Sequence, residues 1–143
     1  MSAELVWALV KNNNSFLVKR SNVQFSAEPG NLTNLNTFKY SGIANGKTVD
    51  IRGAGRGVQV TTKIVKKANT PVKALNKTVV TKSRRGTAKS VANLIAKSGY
   101  RADLRQAALA RASAVYSSQV PKKVKAARAG KGVRAQKAAA KQA

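Results

Sequence analysis

The sequence predicts an α+β fold with a short N-terminal helix, a small antiparallel sheet of hairpins, two packed C-terminal helices and a basic extended tail. Three observations indicate this class. Apolar and polar residues alternate in the middle of the chain, apolar residues recur every three or four positions after residue 87, and residues 121–143 contain no aromatic and no acidic residue. We therefore expect a globular domain over residues 1–120 and a basic Ala- and Lys-rich tail over residues 121–143.

The N-terminal helix is expected over residues 2–11. Ser2 is a suitable N-cap, Glu4 favours the positive end of the helix dipole, and a run of asparagines starting at Asn12 ends the helix. The apolar run Leu5–Val10 leaves a strand as the competing interpretation, because a short continuous apolar segment carries little periodicity.

The first hairpin is predicted by residues 16–18 and 23–25, which flank a two-residue Ser-Asn turn. Phe16 and Phe25 belong to its two facing strands, so we expect both side chains in the core. Most of the seven aromatic residues have apolar neighbours of this kind, which is typical of core positions.

A second hairpin is predicted further along the chain. A turn-rich connection over residues 28–36 and an extended piece over residues 38–40 lead into it. Its strands, residues 47–52 and 58–65, bracket the glycine-rich segment 53–57. That segment is similar to a phosphate-binding loop, but such a loop needs a helix directly after it, and a Val-rich strand follows. A hairpin turn is therefore the favoured interpretation.

One more strand and two helices complete the domain. Residues 75–81 favour the strand, and we expect Thr87 to cap the next helix and Gly99 to end it. The last helix spans about residues 102–118, with Asp103 near the positive end of its dipole. A narrow apolar stripe suited to close packing runs along this helix: Leu104, Ala108, Ala112 and Val115.

Composition excludes several classes of function. The 143 residues include 28 Lys and Arg, 4 Asp and Glu, and no His or Cys, giving a formal net charge of +24. Without imidazoles and thiols we expect no enzyme, no cofactor and no metal site. An enzyme is disfavoured and not excluded, since Lys, Ser and Asp can also catalyse. The N-terminal apolar run is too short for a signal peptide or a membrane span. An excess of positive charge this large is usually offset by a polyanion, most often nucleic acid.

The positive charge is uneven. Residues 61–143 hold 21 Lys or Arg and one acid, whereas residues 1–60 hold seven and three. The basic pairs in predicted loops, at residues 66–67 and 84–85, are placed to reach phosphates, and Tyr40 is the candidate for base stacking. The predicted nucleic-acid contacts are Lys11, Arg20, Lys39, Lys47, Arg52, Arg56, Lys63, Lys66, Lys67, Arg84, Arg85, Lys89, Arg101, Arg105, Arg111, Lys122, Lys123, Lys125 and Arg128.

The tail is expected to be extended. Its basic residues recur every three positions from Lys125 to Lys137, so on an α-helix they would wind around the axis instead of forming one face. Pro121, Gly130 and Gly132 further weaken a long helix. An extended arm lying in a nucleic-acid groove fits this pattern better.

Five blocks of the chain resemble one protein family. They are Trp7–Arg20 (WALVKNNNSFLVKR), Glu28–Leu32 (EPGNL), Asn36–Gly42 (NTFKYSG), Lys47–Val49 (KTV) and Tyr100–Ala114 (YRADLRQAALARASA). In this order, over about residues 2–118, they resemble the eukaryote-specific large-subunit ribosomal protein twenty-eight family. Members of that family usually carry Pro where this chain has Ala102, a helix-start position that Ala tolerates.

The resemblance implies a non-catalytic α+β ribosomal protein that contacts large-subunit ribosomal RNA and neighbouring large-subunit ribosomal proteins. It implies assembly in the nucleolus and a place of action in the cytoplasm. We expect no small-molecule substrate, no membrane association and no homo-oligomer. Two alternatives stay open: a nucleolar maturation factor of the large subunit, and a chromatin or DNA-binding protein, which the Ala- and Lys-rich tail suggests.

Overall fold

The N-terminal part of the chain forms a helix and a hairpin. In this computed structural model, which describes residues 2–121, 132–134 and 140, helix α1 spans Ala3–Val10. Strand β1 (Leu17–Arg20) pairs antiparallel with β2 (Val23–Ser26), with Leu17 opposite Ser26 and Arg20 opposite Val23. The predicted helix and first hairpin are confirmed, and the strand alternative for the apolar run is wrong.

Local hydrogen bonding and turn chemistry explain both elements. The Ser2 hydroxyl oxygen accepts from the Leu5 amide at 3.3 Å, so the predicted N-cap is formed. Ser21 and Asn22 both have positive φ angles, 44° and 63°, as a two-residue hairpin turn with the twist of its strands requires.

A three-stranded antiparallel sheet forms the centre of the fold. Its strands are β3 (Val49–Gly53), β4 (Val58–Lys63) and β5 (Leu75–Val80), with β4 in the middle. The glycine-rich segment is the β3–β4 turn, which confirms the hairpin interpretation. Gly57 has a φ of +97°, and a Cβ there would lie 2.6 Å from the Val80 carbonyl oxygen, so the turn requires glycine at this position.

Two C-terminal helices cover one face of this sheet. Helix α2 spans Arg84–Ala92 and continues as a π-helical turn over Asn93–Lys97, and Gly99, with a φ of +66°, ends it as predicted. A 3₁₀ turn, Ala102–Leu104, leads into α3 (Arg105–Gln119). Within the described residues, no helix is long and apolar enough to span a membrane.

The hydrophobic core lies between the sheet and the two helices. The alternation of β3 and β4 points one side of each strand inward, and the expected stripe on α3 packs against it. Helix α3 contributes small side chains, so its backbone approaches the sheet closely. The buried core residues are Leu32, Val49, Ile51, Val58, Val60, Val91, Ile95, Leu104, Ala108 and Ala112, and Val115 packs against them partly buried.

Residues 38–40 form a 3₁₀ turn where an extended piece is predicted. The Ser41 amide donates to the Thr37 carbonyl at 3.0 Å. The Asn45 side-chain amide donates to the carbonyls of Phe38 and Ser41, at 2.7 and 2.9 Å. The prediction is wrong because a side chain from the following loop stabilises the turn, and the local residue pattern does not record that contact.

Helix α2 begins before the predicted cap. Ser83 is the N-cap, and its hydroxyl oxygen accepts from the Gly86 amide at 3.4 Å. Thr87 is buried, and its hydroxyl donates to the Lys82 carbonyl at 3.0 Å. The prediction of Thr87 as N-cap is wrong because Ser83 performs the same capping function one turn earlier.

The first hairpin exposes its aromatic side chains. Phe16 and Phe25 are 39% and 38% exposed, and they share one face of the hairpin with Val18 and Val23. The prediction that both phenylalanines are core residues is wrong, because the rest of the fold covers little of this hairpin. On its other face Lys19 and Gln24 are also exposed, and only Ser26, at the end of β2, is buried. The predicted extended tail falls almost entirely outside the described residues.

Candidate nucleic-acid interface

Four exposed basic residues surround one end of the three-stranded sheet. Arg56 lies in the β3–β4 turn, Lys82 follows β5, and Arg84 and Arg85 begin α2. They line two adjoining pockets that have Tyr116 in common. We refer to these four residues as the α2 cluster. The fold thus brings together cations that are well separated in the sequence.

The start of α2 sets the positions of the arginine pair. Because Ser83 caps the helix, both arginines lie in its first turn and the predicted loop for this pair is wrong. Arg84 Nη2 donates to the Ser113 hydroxyl oxygen on α3 at 2.8 Å, which links the two helices. No acidic residue occupies the first turn of α2. The arginines therefore form an exposed cationic edge with no carboxylate beside them in that turn.

A side-chain clamp attaches the end of α3 to the β3–β4 turn. Gln119 Nε2 donates to the Gly57 carbonyl at 2.8 Å, and the Gly57 amide donates to Gln119 Oε1 at 3.2 Å. Pro121 lies against the same pocket as Arg56 and Lys82. The basic tail therefore leaves the domain directly beside the α2 cluster.

A second basic group lies at the other end of the sheet. Lys66 and Lys67 belong to a 3₁₀ turn, Val65–Lys67, and Lys73 ends another, Pro71–Lys73. All three lysines are exposed in the β4–β5 connection. We call them the loop cluster. Strand β4 separates it from the β3–β4 turn, and its 6 residues at about 3.3 Å each correspond to roughly 20 Å.

The guanidinium of Arg101 forms hydrogen bonds within the protein. Its guanidinium donates to both Asp103 carboxylate oxygens at 2.8 Å and to the carbonyls of Lys47 and Lys39, at 2.9 and 3.0 Å. The hydrogen bonds to Asp103 raise the pKa of Arg101, and those from Arg101 lower the pKa of Asp103. Only 16% of the Arg101 side chain is exposed. Its prediction as a nucleic-acid contact stays a prediction.

Tyr40 is half-buried. Its ring packs against the core, and the Lys39 ammonium lies 5.5 Å from the ring centroid. Lys47 is placed similarly, 5.8 Å from the centroid of Tyr100. The prediction of Tyr40 as a stacking residue stays a prediction, with a cation already over its ring.

The remaining predicted basic residues are dispersed over the fold. Arg52 is held to Asp50 on the same strand, with Nε 2.7 Å from Oδ2. The others lie at the C-cap of α1 and on β1, β4, α2 and α3: Lys11, Arg20, Lys63, Lys89, Arg105 and Arg111. The predicted tail contacts lie outside the described residues: Lys122, Lys123, Lys125 and Arg128.

The residue pattern missed two members of these clusters. Lys82 belongs to the α2 cluster, and its signal in the sequence is its place two residues before the arginine pair. Lys73 belongs to the loop cluster, and its signal in the sequence is its place two residues after Pro71. The proline disfavours a regular strand there and so indicates a loop. Both signals are weak on their own, because the chain is rich in lysine throughout.

Comparison with known proteins agrees with the resemblance. The sequence matches the Ribosomal L28e protein family over residues 5–118. It is 43% identical over 129 residues to large ribosomal subunit protein eL28 of Schizosaccharomyces pombe, covering 86% of this chain and 96% of that protein. The identity to the Dictyostelium discoideum eL28 protein is 42% over 132 residues, covering 92% and 98% of the two chains.

The Caenorhabditis elegans eL28 protein is also similar, with 36% identity over 124 residues that cover 85% of this chain and 94% of that protein. The match to the family includes most of α1, both sheets and nearly all of α3. It therefore includes the α2 cluster, the loop cluster and the elements that hold them. On these grounds, the chain belongs to the Ribosomal L28e protein family.

Proposed function

We propose that the protein is a non-catalytic structural constituent of the large ribosomal subunit, where its Lys and Arg side chains bind ribosomal RNA. The observation that carries this proposal is the α2 cluster, four exposed cations around adjoining pockets. Among the described residues that line those pockets, none is acidic. The names of the similar proteins, large ribosomal subunit protein eL28, support the same assignment.

The binding mechanism rests on phosphate neutralisation. Arg and Lys side chains donate charge-assisted hydrogen bonds to phosphate oxygens, and the displaced counterions supply much of the affinity. The α2 cluster and the loop cluster lie at opposite ends of one sheet, so a rigid element holds them apart. Such an arrangement suits the fixing of two RNA segments relative to each other.

The proposal also covers the partners of the protein and its location in the cell. Neighbouring large-subunit ribosomal proteins are the expected protein contacts, and no homo-oligomer, cofactor or small-molecule substrate is part of it. The protein acts in cytoplasmic ribosomes after assembly in the nucleolus. The predicted contacts of the tail with RNA belong to the same proposal.

Sedimentation of a cell extract through a sucrose gradient tests this function. Fractions collected at physiological and at high salt are analysed for this chain by mass spectrometry. We expect it in mature large subunits and polysomes, in near-stoichiometric amount, and still bound after the salt wash. Recovery only in nuclear precursor particles would favour a maturation factor, and recovery on chromatin would favour a DNA-binding protein. Either result would reject the proposal.

A further inference from the structure

An apolar pocket of about 320 Å³ opens between α2 and α3 beside the α2 cluster. Thr87 and Ala88 contribute to it from α2, and Leu109, Ala112 and Tyr116 contribute from α3. Its volume is at the lower end of the roughly 300–1,000 Å³ typical of ligand pockets. It is therefore large enough for one small planar group.

The floor of the pocket is rigid because it belongs to the core. Thr87 and Ala112 are each only 2% exposed, and Ala112 is part of the core cluster. The small side chains of Ala88 and Ala112 leave the space open, since larger ones at these positions would fill it. The recess is thus a product of close helix packing.

Cations stand at the rim of the pocket. Arg84 and Arg85 both line it, and the bond from Arg84 to Ser113 holds one guanidinium across the two helices. The adjoining pocket, of about 380 Å³, continues the positive edge with Arg56 and Lys82. A ligand with an apolar planar part and an attached anion fits both features.

We propose that this pocket receives the base of one unpaired ribosomal RNA nucleotide, while its flanking phosphates bind Arg84 and Arg85. The inference rests on the proposed function and extends it from phosphate neutralisation to the capture of a single base. Unpaired bases insert against aromatic and apolar side chains, and Tyr116 supplies an aromatic wall. An apolar side chain from a neighbouring protein could also fill the recess, but it would form no favourable electrostatic interaction with the four cations. The positive charge therefore favours RNA as the ligand.

Photo-crosslinking tests this site with a matched pair of variants. Ala88→Leu fills the recess without changing charge, and Ala110→Leu adds the same side chain at an exposed position of α3. The full chain is irradiated with purified large-subunit ribosomal RNA, and nucleotide adducts are located by mass spectrometry. We expect adducts on Tyr116 in the wild type and in Ala110→Leu. In Ala88→Leu they fall about tenfold while total RNA affinity changes little.

A titration of the unmodified protein gives a second measurement that requires no variant. NMR signals of the full chain are followed with adenosine 5′-monophosphate, uridine 5′-monophosphate and ribose 5-phosphate. We expect both nucleotides to shift Ala88, Leu109 and Tyr116, and ribose 5-phosphate to shift only the arginines. Equal effects of all three probes, or unchanged Tyr116 adducts in Ala88→Leu, would overturn the inference.

These outcomes are distinct from failure of the proposed function. If the function itself is wrong, wild type and both variants are absent from large subunits, and they bind ribosomal RNA no more tightly than duplex DNA at the same salt concentration. If only the base pocket is wrong, RNA binding persists and the crosslinks do not depend on residue 88. Adducts that appear only with protein neighbours in assembled subunits would assign the recess to a protein side chain and reject the RNA base.

Discussion

The phenolic oxygen of Tyr100 lies 2.7 Å from the carbonyl oxygen of Lys63, to which it donates, and 3.0 Å from the Lys63 amide nitrogen, from which it accepts. The Thr48 amide also donates to it, at 3.2 Å. In the pairing between β3 and β4, Thr48 directly precedes the first paired residue of β3, and Lys63 directly follows the last paired residue of β4. A side chain from the connection between α2 and α3 therefore closes the open end of the central hairpin.

Replacement of Tyr100 by Phe removes the hydroxyl group that forms these hydrogen bonds and keeps the aromatic ring. The backbone groups of Thr48 and Lys63 lose a partner in a partly buried site, so we expect a loss of about 1–2 kcal/mol in the free energy of unfolding. Chemical denaturation of the variant measures the loss. Tyr116→Phe is the control, since the Tyr116 hydroxyl has no hydrogen bond within the described residues. Equal stability of the two variants would contradict the assigned role.

The ion pair of Arg101 and Asp103 predicts an acid-dependent loss of stability. The pKa of Asp103 is lowered from its ordinary value of 3.8, chiefly by the hydrogen bonds from Arg101. A lowered carboxylate pKa contributes stability above the ordinary value, and that contribution is lost as the pH falls through the folded-state value. Asp103→Asn should therefore be less stable than wild type at pH 7 by about 0.5–1 kcal/mol, because Asp103 is partly exposed.

The difference between wild type and Asp103→Asn should shrink steadily as the pH falls below 3.8. Denaturation curves collected from neutral to acid pH test this trend. Glu4→Gln serves as the control for removal of one negative charge that forms no ion pair within the described residues, and it should lose only the small dipole contribution of Glu4 at the start of α1. A difference that stays constant with pH would show that the carboxylate charge is not the source of the effect.

Two glycines in one loop differ sharply in what surrounds them. A Cβ on Gly42 would lie 2.0 Å from the Pro29 carbonyl oxygen, whereas a Cβ on Gly46 would meet no atom within 4 Å. Gly42→Ala must displace backbone, so we expect a loss of at least about 2 kcal/mol. Gly46→Ala should be neutral or stabilising by up to about 1 kcal/mol. Thermal unfolding of both variants is the measurement, and similar midpoints would refute the packing of this loop.

Neighbouring positions on the π-helical turn test the core assignment. Ile95 is completely buried, while Leu94 beside it is 37% exposed. Ile95→Ala should cost about 2–5 kcal/mol, the range for large-to-small core substitutions. Leu94→Ala should cost distinctly less. Denaturant titrations compare the two, and a reversed order would mean that the helix faces the sheet differently.

Arg85 provides a direct test of phosphate binding. If it contacts one phosphate, Arg85→Ala reduces the slope of log affinity against log salt by about 1 and weakens binding for all RNA sequences alike. Affinity for large-subunit ribosomal RNA is measured at several salt concentrations. Lys19→Ala, an exposed change on β1 outside the predicted contacts, should leave the slope unaltered. An unaltered slope in Arg85→Ala would remove that residue from the interface.

Secondary structure was largely predictable where a local cause acts. The Ser2 cap, the positive-φ turn at Ser21 and Asn22, and the stop at Gly99 all depend on residues within a few positions. Prediction failed where the deciding contact comes from a distant part of the chain, or where two residues of similar chemistry could perform the same function. Ser83 and Thr87 can both cap a helix, and only the packing of Thr87 in the core distinguishes them. How much of the first hairpin is covered depends on the rest of the fold, which buries only Ser26 in its two strands.

Only part of the candidate interface was predictable. Basic composition predicts a polyanion as the partner, and the arginine pair is exposed as expected. The hydrogen bonds of the Arg101 guanidinium could not be predicted, because the carbonyl oxygens that accept them belong to Lys39 and Lys47, 62 and 54 positions away. Grouping Arg56 with Arg84 likewise requires the strand order of the central sheet, which no local pattern specifies.

If the domain and the tail both bind RNA as proposed, the clamp between Gln119 and Gly57 makes them a bivalent ligand. Because the last turn of α3 is tied to the β3–β4 turn, the chain from Pro121 onward starts at a fixed point beside the α2 cluster. Residues 122–143 can span at most about 75 Å. Engagement of either segment with an RNA raises the effective concentration of the other, so their combined avidity exceeds each separate affinity without any additional contact. Gln119→Ala would lengthen the tether and lower that gain.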